Sequence, residues 1–251
     1  MTSRTVGGFP EAALEWLVPE PWARVLVIGR ISGAILAKLI KRGAQVVVVE
    51  PEHSNAVEVH TQRRGVWVIT AKGTALPFPS GSFDIVLIST DFTGLRAESG
   101  RAECARVLCP GGHLALVHAA RDDSVPWVDR LAKVLQVHDP ELMTATPLRS
   151  VEELEGCCYF PDLQARNFRI WVPITRDGML KMVSSTPTLA GLNPTKSAQL
   201  LEQVGAIYDA SARHPEPLSL PYALQCWRAV ADHSEFTSQL QLPGDGIRIT
   251  L

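Results

Sequence analysis

The sequence predicts an α/β fold: a doubly wound, mostly parallel sheet of seven strands, with helices on both faces and a helical insertion before the last strand. Three observations carry this. Short β-branched runs alternate with helix-period segments from residue 23 to residue 138. Several of these runs are apolar throughout, as strands buried on both faces are. A glycine-containing loop joins the first run to a helix, and the second run ends in an acid.

The elements follow in order. "ARVLVIG" (23–29) reads as a buried parallel strand, and "AILAKLIKRG" as a helix with Ile35, Leu36, Leu39 and Ile40 on one face. Lys41 and Arg42 suit the negative end of that helix, and Gly43 is a C-cap candidate. "QVVVVE" (45–50) is a second buried strand, followed by a polar helix reaching Gly65. "VWVIT" (66–70) and "DIVLIS" (84–89) are the third and fourth strands. A helix around "AECARVLC" leads into a tight turn at "PGG" (110–112), and "HLALVHA" (113–119) is the fifth strand. A helix near 124–137 follows. "RNFRIWVPI" (166–174) and "LSLPYALQCWRAV" (218–230) read as two further strands, with helices at 176–185 and 194–211 between them as a cover. The tail "QLPGDGIRITL" fits either a short edge strand or a loose end.

In such a sheet, ligands sit outside the carboxyl ends of the strands, where strand order reverses. The functional loops are therefore those after Ile28, Val49, Ile69, Ile88 and Val117. With 251 residues, 46% of them hydrophobic, the chain is expected to be a single domain spanning 1–251, and a sizeable core is available. About 10–120 forms its cofactor-binding half and about 121–251 its C-terminal half with the substrate-side cover. A net charge of −2 gives no basic surface for nucleic acid, and no apolar run is long enough to span a membrane. No signal-peptide core is seen, so a cytoplasmic location is expected. Five cysteines without a C-x-x-C pair, and histidines without ligand spacing, predict free thiols and no metal. The nucleophile-elbow, phosphate-loop and zinc-protease signatures are absent, and Gly29-x-x-x-Gly33 does not fit the dehydrogenase fingerprint.

Three stretches in order resemble the class I S-adenosylmethionine-dependent methyltransferases, a Rossmann-like family, and within it the methyltransferase type 11 group. They are "RVLVIGRISGAILAKLIKRGAQVVVVEP", "GTALPFPSGSFDIVLIS" (73–89) and "ARVLCPGGHLAL" (105–116), together covering about residues 10–120. The "FRIWVPITRDGMLKMVSS" and "LPYALQCWRA" stretches are similar to the family's last two strands and inserted helices. Much of the second and third motifs reads as fold marker rather than active site.

The resemblance implies a cofactor, S-adenosylmethionine, held by Gly29, Arg30, Ile31, Gly33, Glu50, Lys72, Thr74 and Ala75. Glu50 takes the place of the carboxylate that accepts the ribose hydroxyls. The family's middle glycine is Ile31 here, which sits either at negative φ in a rerouted loop or with its side chain in the pocket. The usual acid two residues before the first glycine is Val27, the small residue after that glycine is Arg30, and the adenine-side Asp aligns with Lys72. Each change makes the pocket more positive, against a sulfonium cofactor. One unit charge ~8 Å away costs about 2 kcal/mol at an effective dielectric of 20. The "FP" of Phe9-Pro10 stands where the family has a tyrosine-bearing closing segment.

Methyl transfer needs proximity and, for some acceptors, a base. Asp91, just after the fourth strand, and His118, near the end of the fifth, are the candidate catalytic groups at the carboxyl edge. Trp171, Arg176 and Tyr222, in the cover, are candidates to line an acceptor pocket, with core packing as the alternative for the tryptophans. Two readings stand: methyl transfer to a small-molecule acceptor, or a pseudoenzyme serving as binding module or partner of a paralogous methyltransferase subunit.

Overall fold

The computed structural model describes residues 5–6, 8–29, 31–52, 56, 66–89, 93–140, 149–186, 191–213 and 217–238. In chain order its strands are β1 (Thr5–Val6), β2 (Arg24–Ile28), β3 (Gln45–Glu50), β4 (Trp67–Thr70), β5 (Phe83–Ser89), β6 (Leu108–Arg121), β7 (Gln164–Ile174) and β8 (Leu218–Val230). The helices are α1 (Glu11–Leu17), α2 (Gly33–Lys41), α3 (Glu98–Val107), α4 (Pro126–Gln136), α5 (Arg149–Glu152), α6 (Arg176–Ser184), α7 (Pro194–Ser211) and α8 (Ser234–Ser238), with a 3-10 turn at Thr93–Arg96. The chain forms two compact units. A core unit comprises Leu14–His118, Leu148–Arg166 and Cys226–Leu251; a second unit comprises Met1–Ala13, Ala119–Pro147 and Asn167–Gln225.

In the core unit the strand order is β8-β6-β5-β2-β3-β4, so the chain winds outward from β2 to β4 and returns to place β5 on the other flank of β2. The β2–β3, β3–β4, β2–β5 and β5–β6 pairs are all parallel. β8 runs the opposite way to β6: Ala231 N–H donates to Gly112 O, and Asp122 N–H donates to Pro221 O. Val25–Ile28 and Ile85–Ile88 are fully buried, which is why their sequences are apolar without alternation. β4 lies at the sheet edge, with Trp67 exposed. α2 buries Ile35, Leu36 and Leu39 and ends in a Schellman turn: Gly43 at φ 82° donates to Ile40 O, and Ala44 donates to Leu39 O.

The fifth expected strand differs from its sequence reading. It begins at Leu108 rather than after a "PGG" turn, because Phe83 pairs with Leu108 and Ile85 with His113. Residues 109–112 are thus looped out within the strand as an extended bulge. Gly111 takes φ 81°, and a Cβ on Gly112 would lie 2.9 Å from the carbonyl oxygens of Asp84 and Cys109. The motif is a glycine-dependent kink inside β6. The sheet also gains an eighth strand, the two-residue β1, parallel to β7 through Thr5↔Ile170 and Val6↔Trp171. A pair that short leaves no periodic pattern to read. The helix expected to reach Gly65 and the tail beyond Ser238 lie outside the described residues, Ala56 excepted.

The second unit has its own apolar cluster. α4 opens with Pro126 and contributes Trp127, Val128, Leu131 and Leu135; α6 contributes Met179 and Val183; α7 contributes Leu200, Val204 and Tyr208. Each such burial is worth about 1.5–3 kcal/mol. The helices are capped as their sequences suggest: Thr175 Oγ1 accepts from Gly178 N–H, and Asn193 Oδ1 from Lys196 N–H. Tyr208 donates its hydroxyl to Ile174 O and accepts from Leu218 N–H, tying α7 to β7 and β8.

Candidate cofactor crevice and its supporting motifs

Register alone gathers the expected cofactor residues. Ile28 is level with Val49 and Ile88, Glu50 with Thr70, and Ser89 with Val117, so five parallel strands end along one edge of the core unit. The reversal of strand order falls between β2 and β5, which places the crevice beside Gly29. Gly29 takes φ 81°, a conformation open to glycine, and its N–H points to Val49 O at 3.4 Å. Glu50, one residue beyond Val49, is only 3% exposed. Ala71 N–H donates to Glu50 O, and Ala75 N–H closes a turn onto Lys72 O. Lys72 and Ala75 are exposed on that turn, and Thr74 is half-buried with its methyl near Gly100. Ile31 and Gly33, at the entry to α2, are partly exposed. Val27 is fully buried within β2. His118 is half-buried, just past Val117. Arg30 and Asp91 lie outside the described residues.

Of the acceptor-side candidates in the second unit, Trp171 lines a cavity of about 250 Å³. Tyr222 packs against the unit's apolar cluster. Arg176 is exposed, bonds Asp209 at 3.0 Å through Nε, and lays its guanidinium over Gly205, where a side chain would push the guanidinium aside. It pins α6 to α7.

The second and third motifs turn out to be joined. Arg106, in the "RVL" stretch, donates Nη1 to Phe78 O and Nη2 to Leu76 O, and pairs with Glu103 at 2.6 Å. Glu103 in turn accepts from Leu76 N–H at 2.7 Å. The guanidinium holds the Glu103 carboxyl below its usual range. Phe78 meets Phe83 edge-on at 4.9 Å. Asp84, closing the "SFD" triplet, accepts from Arg24 N–H, Nε and Nη2 (2.8, 3.1 and 2.6 Å), and these bonds pull its carboxyl down to about 2. Sequence reading missed this lock, although Glu103-x-x-Arg106 at helical spacing was a usable signal.

Among the described residues no group of three His, Cys, Asp or Glu side chains is placed to hold a metal, and no helix is long and apolar enough to cross a membrane. Cys104 and Cys226 are buried free thiols, pushed up to about 12 by burial.

Comparison with known proteins places this geometry. The profile of the family described as "Methyltransferase domain" matches residues 26–116, which include β2 through most of β6. An uncharacterised methyltransferase of Mycobacterium tuberculosis is 27% identical over 224 residues, 88% of each chain. A ubiquinone/menaquinone biosynthesis C-methyltransferase of Cereibacter sphaeroides is 31% identical over 117 residues, covering 43% of this chain and 46% of that one. A solved methyltransferase structure from Anaeromyxobacter dehalogenans shares the fold with a TM-score of 0.62 at 19% identity, over 89% of this chain and 97% of that one. Residues 26–116 therefore match a methyltransferase domain, and the chain has the Rossmann-like fold of solved methyltransferase structures, with the strand order, glycine turn and acid at the tip of β3 in that region.

Proposed function

We propose that the chain binds S-adenosylmethionine at the carboxyl edge of the core unit and transfers its methyl group to a small-molecule acceptor. The observation that carries this reading is the burial of Glu50, 3% exposed beside the positive-φ turn at Gly29. The two carboxylate oxygens of Glu50 suit the paired hydroxyls of a ribose. Gly29 lets the backbone run close to the ligand, and Thr74 and Ala75 stand on the turn where the adenine side is expected. When bound, the cofactor supplies an electrophilic methyl on a sulfonium sulfur. The chain's own work is to hold that centre in line with the acceptor and exclude water. His118 is the base proposed for acceptors that must lose a proton, with Asp91 as the second candidate.

A second reading is a ligand-binding pseudoenzyme that partners a paralogous subunit. It is favoured by Ile31 in the loop and by Val27, whose burial in β2 leaves no carboxylate there to face the sulfonium. Against it, Lys72 is exposed, so its ammonium reaches water and is screened. At a dielectric near 80 the repulsion at ~8 Å falls to about 0.5 kcal/mol, too little to prevent binding.

Calorimetric titration with S-adenosylmethionine and S-adenosylhomocysteine tests both. Micromolar binding of both, with the neutral product bound more tightly, is the expected result. Absence of heat and of thermal stabilisation at millimolar ligand sinks the methyl-transfer reading, since a ligand at 100 times its Kd stabilises by about 2.7 kcal/mol. Binding without turnover across an acceptor panel favours the pseudoenzyme.

A further inference from the structure

The second unit carries a cavity that the cofactor crevice does not use. It is an open cleft of about 250 Å³ whose lining includes Trp127, Trp171, Ser211, Arg213, Leu218 and Ser219, with Pro217 at its edge. Its walls come from α4, β7, the end of α7 and the start of β8, all within that unit. Trp127 is anchored in the apolar cluster at 8% exposure. Trp171 is half-buried, and the Arg169 guanidinium lies 6.0 Å from its ring centroid. Arg169 itself is fixed by Asp122, which also accepts from the Ser124 hydroxyl at 2.6 Å. The Ser211 hydroxyl accepts from Arg130 Nη2 at 3.3 Å.

The lining is chemically one-sided. Two indoles supply flat, polarisable apolar walls. Arg213 supplies a forked cation, and Ser211 and Ser219 supply hydroxyls. None of the described lining residues is acidic. The volume is at the small end for ligand pockets, room for one ring with a short substituent rather than a nucleotide. We propose that this cavity binds a small planar carboxylate, its ring against Trp127 and Trp171 and its carboxylate on Arg213. The site is defined without reference to the methyl-transfer reading, and its test needs no cofactor.

The test is titration of the full chain with benzoate, its neutral counterpart benzamide, and inorganic phosphate, followed by tryptophan emission and by calorimetry. Saturable quenching by benzoate with a Kd of about 1 mM or tighter is expected, with benzamide at least ~10-fold weaker. Arg213→Gln should erase that preference while Arg213→Lys keeps part of it; the side chain is exposed, so both variants should melt with the parent. Trp171→Leu should weaken both ring ligands and reduce the quenching. Equal binding of benzoate and benzamide overturns the proposal, as does an unchanged ratio in Arg213→Gln. Phosphate competing as well as benzoate also overturns it, because a bare anion patch needs no indole walls. No saturation by benzoate up to about 10 mM overturns it outright. Cofactor titration of the same preparation is read separately, so failure of one site does not decide the other.

Discussion

The glycine loop after β2 and the lock between residues 76–84 and 103–112 both carry the family resemblance, yet they have fared differently. In the lock every distinctive residue has a structural partner: Arg106 holds two backbone carbonyls and Glu103, Asp84 holds Arg24, and Gly112 fits between two carbonyl oxygens. In the loop, Gly29 keeps its positive φ and Glu50 its burial, while Ile31 replaces a glycine and Val27 an acid. The family resemblance is therefore carried largely by residues that hold the sheet together, whereas the proposed ligand binding rests on a separate handful at the strand ends. The difference teaches that stability and chemistry occupy separable parts of this fold.

Four substitutions test that separation. The largest effect is expected from Arg106→Leu, which strands the carbonyls of Leu76 and Phe78 and leaves the half-buried Glu103 with only the Leu76 N–H and no cation. A loss of about 2–4 kcal/mol follows, seen in urea unfolding as a lower midpoint at constant m. If cofactor affinity per folded molecule also collapses, lock and loop are not separable. Glu50→Gln should do the converse. Affinity for S-adenosylhomocysteine should drop about 10–100-fold, a loss of 1.4–2.8 kcal/mol in binding, with the melting temperature nearly unchanged. Retained affinity would remove Glu50 from the site. The double change Ile31→Gly with Lys72→Asp should tighten S-adenosylmethionine about 10-fold and more than it tightens the neutral product. An equal gain for both ligands would make the effect steric alone.

The smallest effect belongs to Arg24→Met. Asp84 titrates at about 2 in the folded chain, below its ordinary 3.8. Its pair with Arg24 therefore contributes above the unfolded value, and that contribution is lost as pH falls from about 4 toward 2. Because both side chains are more than a third exposed, the contribution is about 1 kcal/mol or less. The stability gap between parent and variant should close over that pH interval and stay flat above pH 5. A gap that persists at pH 2 would assign the effect to packing.

Much of this was legible beforehand because parallel strands buried on both faces write themselves as unbroken apolar runs. The ranges 45–50 and 218–230 coincide with β3 and β8, and 194–211 with α7. What was not legible depended on partners distant in the chain. The bulge in β6 exists because Phe83 and Ile85 fix where Leu108 and His113 must pair, and nothing local to "CPGG" says so. α1 was unread because seven residues hold too few turns for a period, although Ala13, Leu14 and Leu17 are fully buried. The expected cofactor-site residues that are described lie at or near the carboxyl ends of the core-unit strands, as the family likeness implied. Trp171 and Arg176 looked equivalent in sequence, and only the presence of Asp209 and Gly205 opposite Arg176 distinguishes a helix pin from a cavity wall.

The antiparallel course of β8 has a consequence for synthesis. His233 bonds the carbonyls of Ala105 and Leu108 across 128 and 125 residues, and Arg228 reaches Trp16 O across 212. The core unit is thus a sheet in which β8 is made after every other strand. Loop closure over such spans slows folding more than it weakens the product. On the ribosome, β2 through β6 must wait with the β8-facing flank of β6 unpaired while the segment between β6 and β8 is translated, an interval of several seconds at about 5–20 residues per second. An unpaired strand edge in that interval is an invitation to aggregation or to chaperone capture. A copy that ends before Leu218 lacks β8 altogether and leaves that flank of β6 without its neighbour.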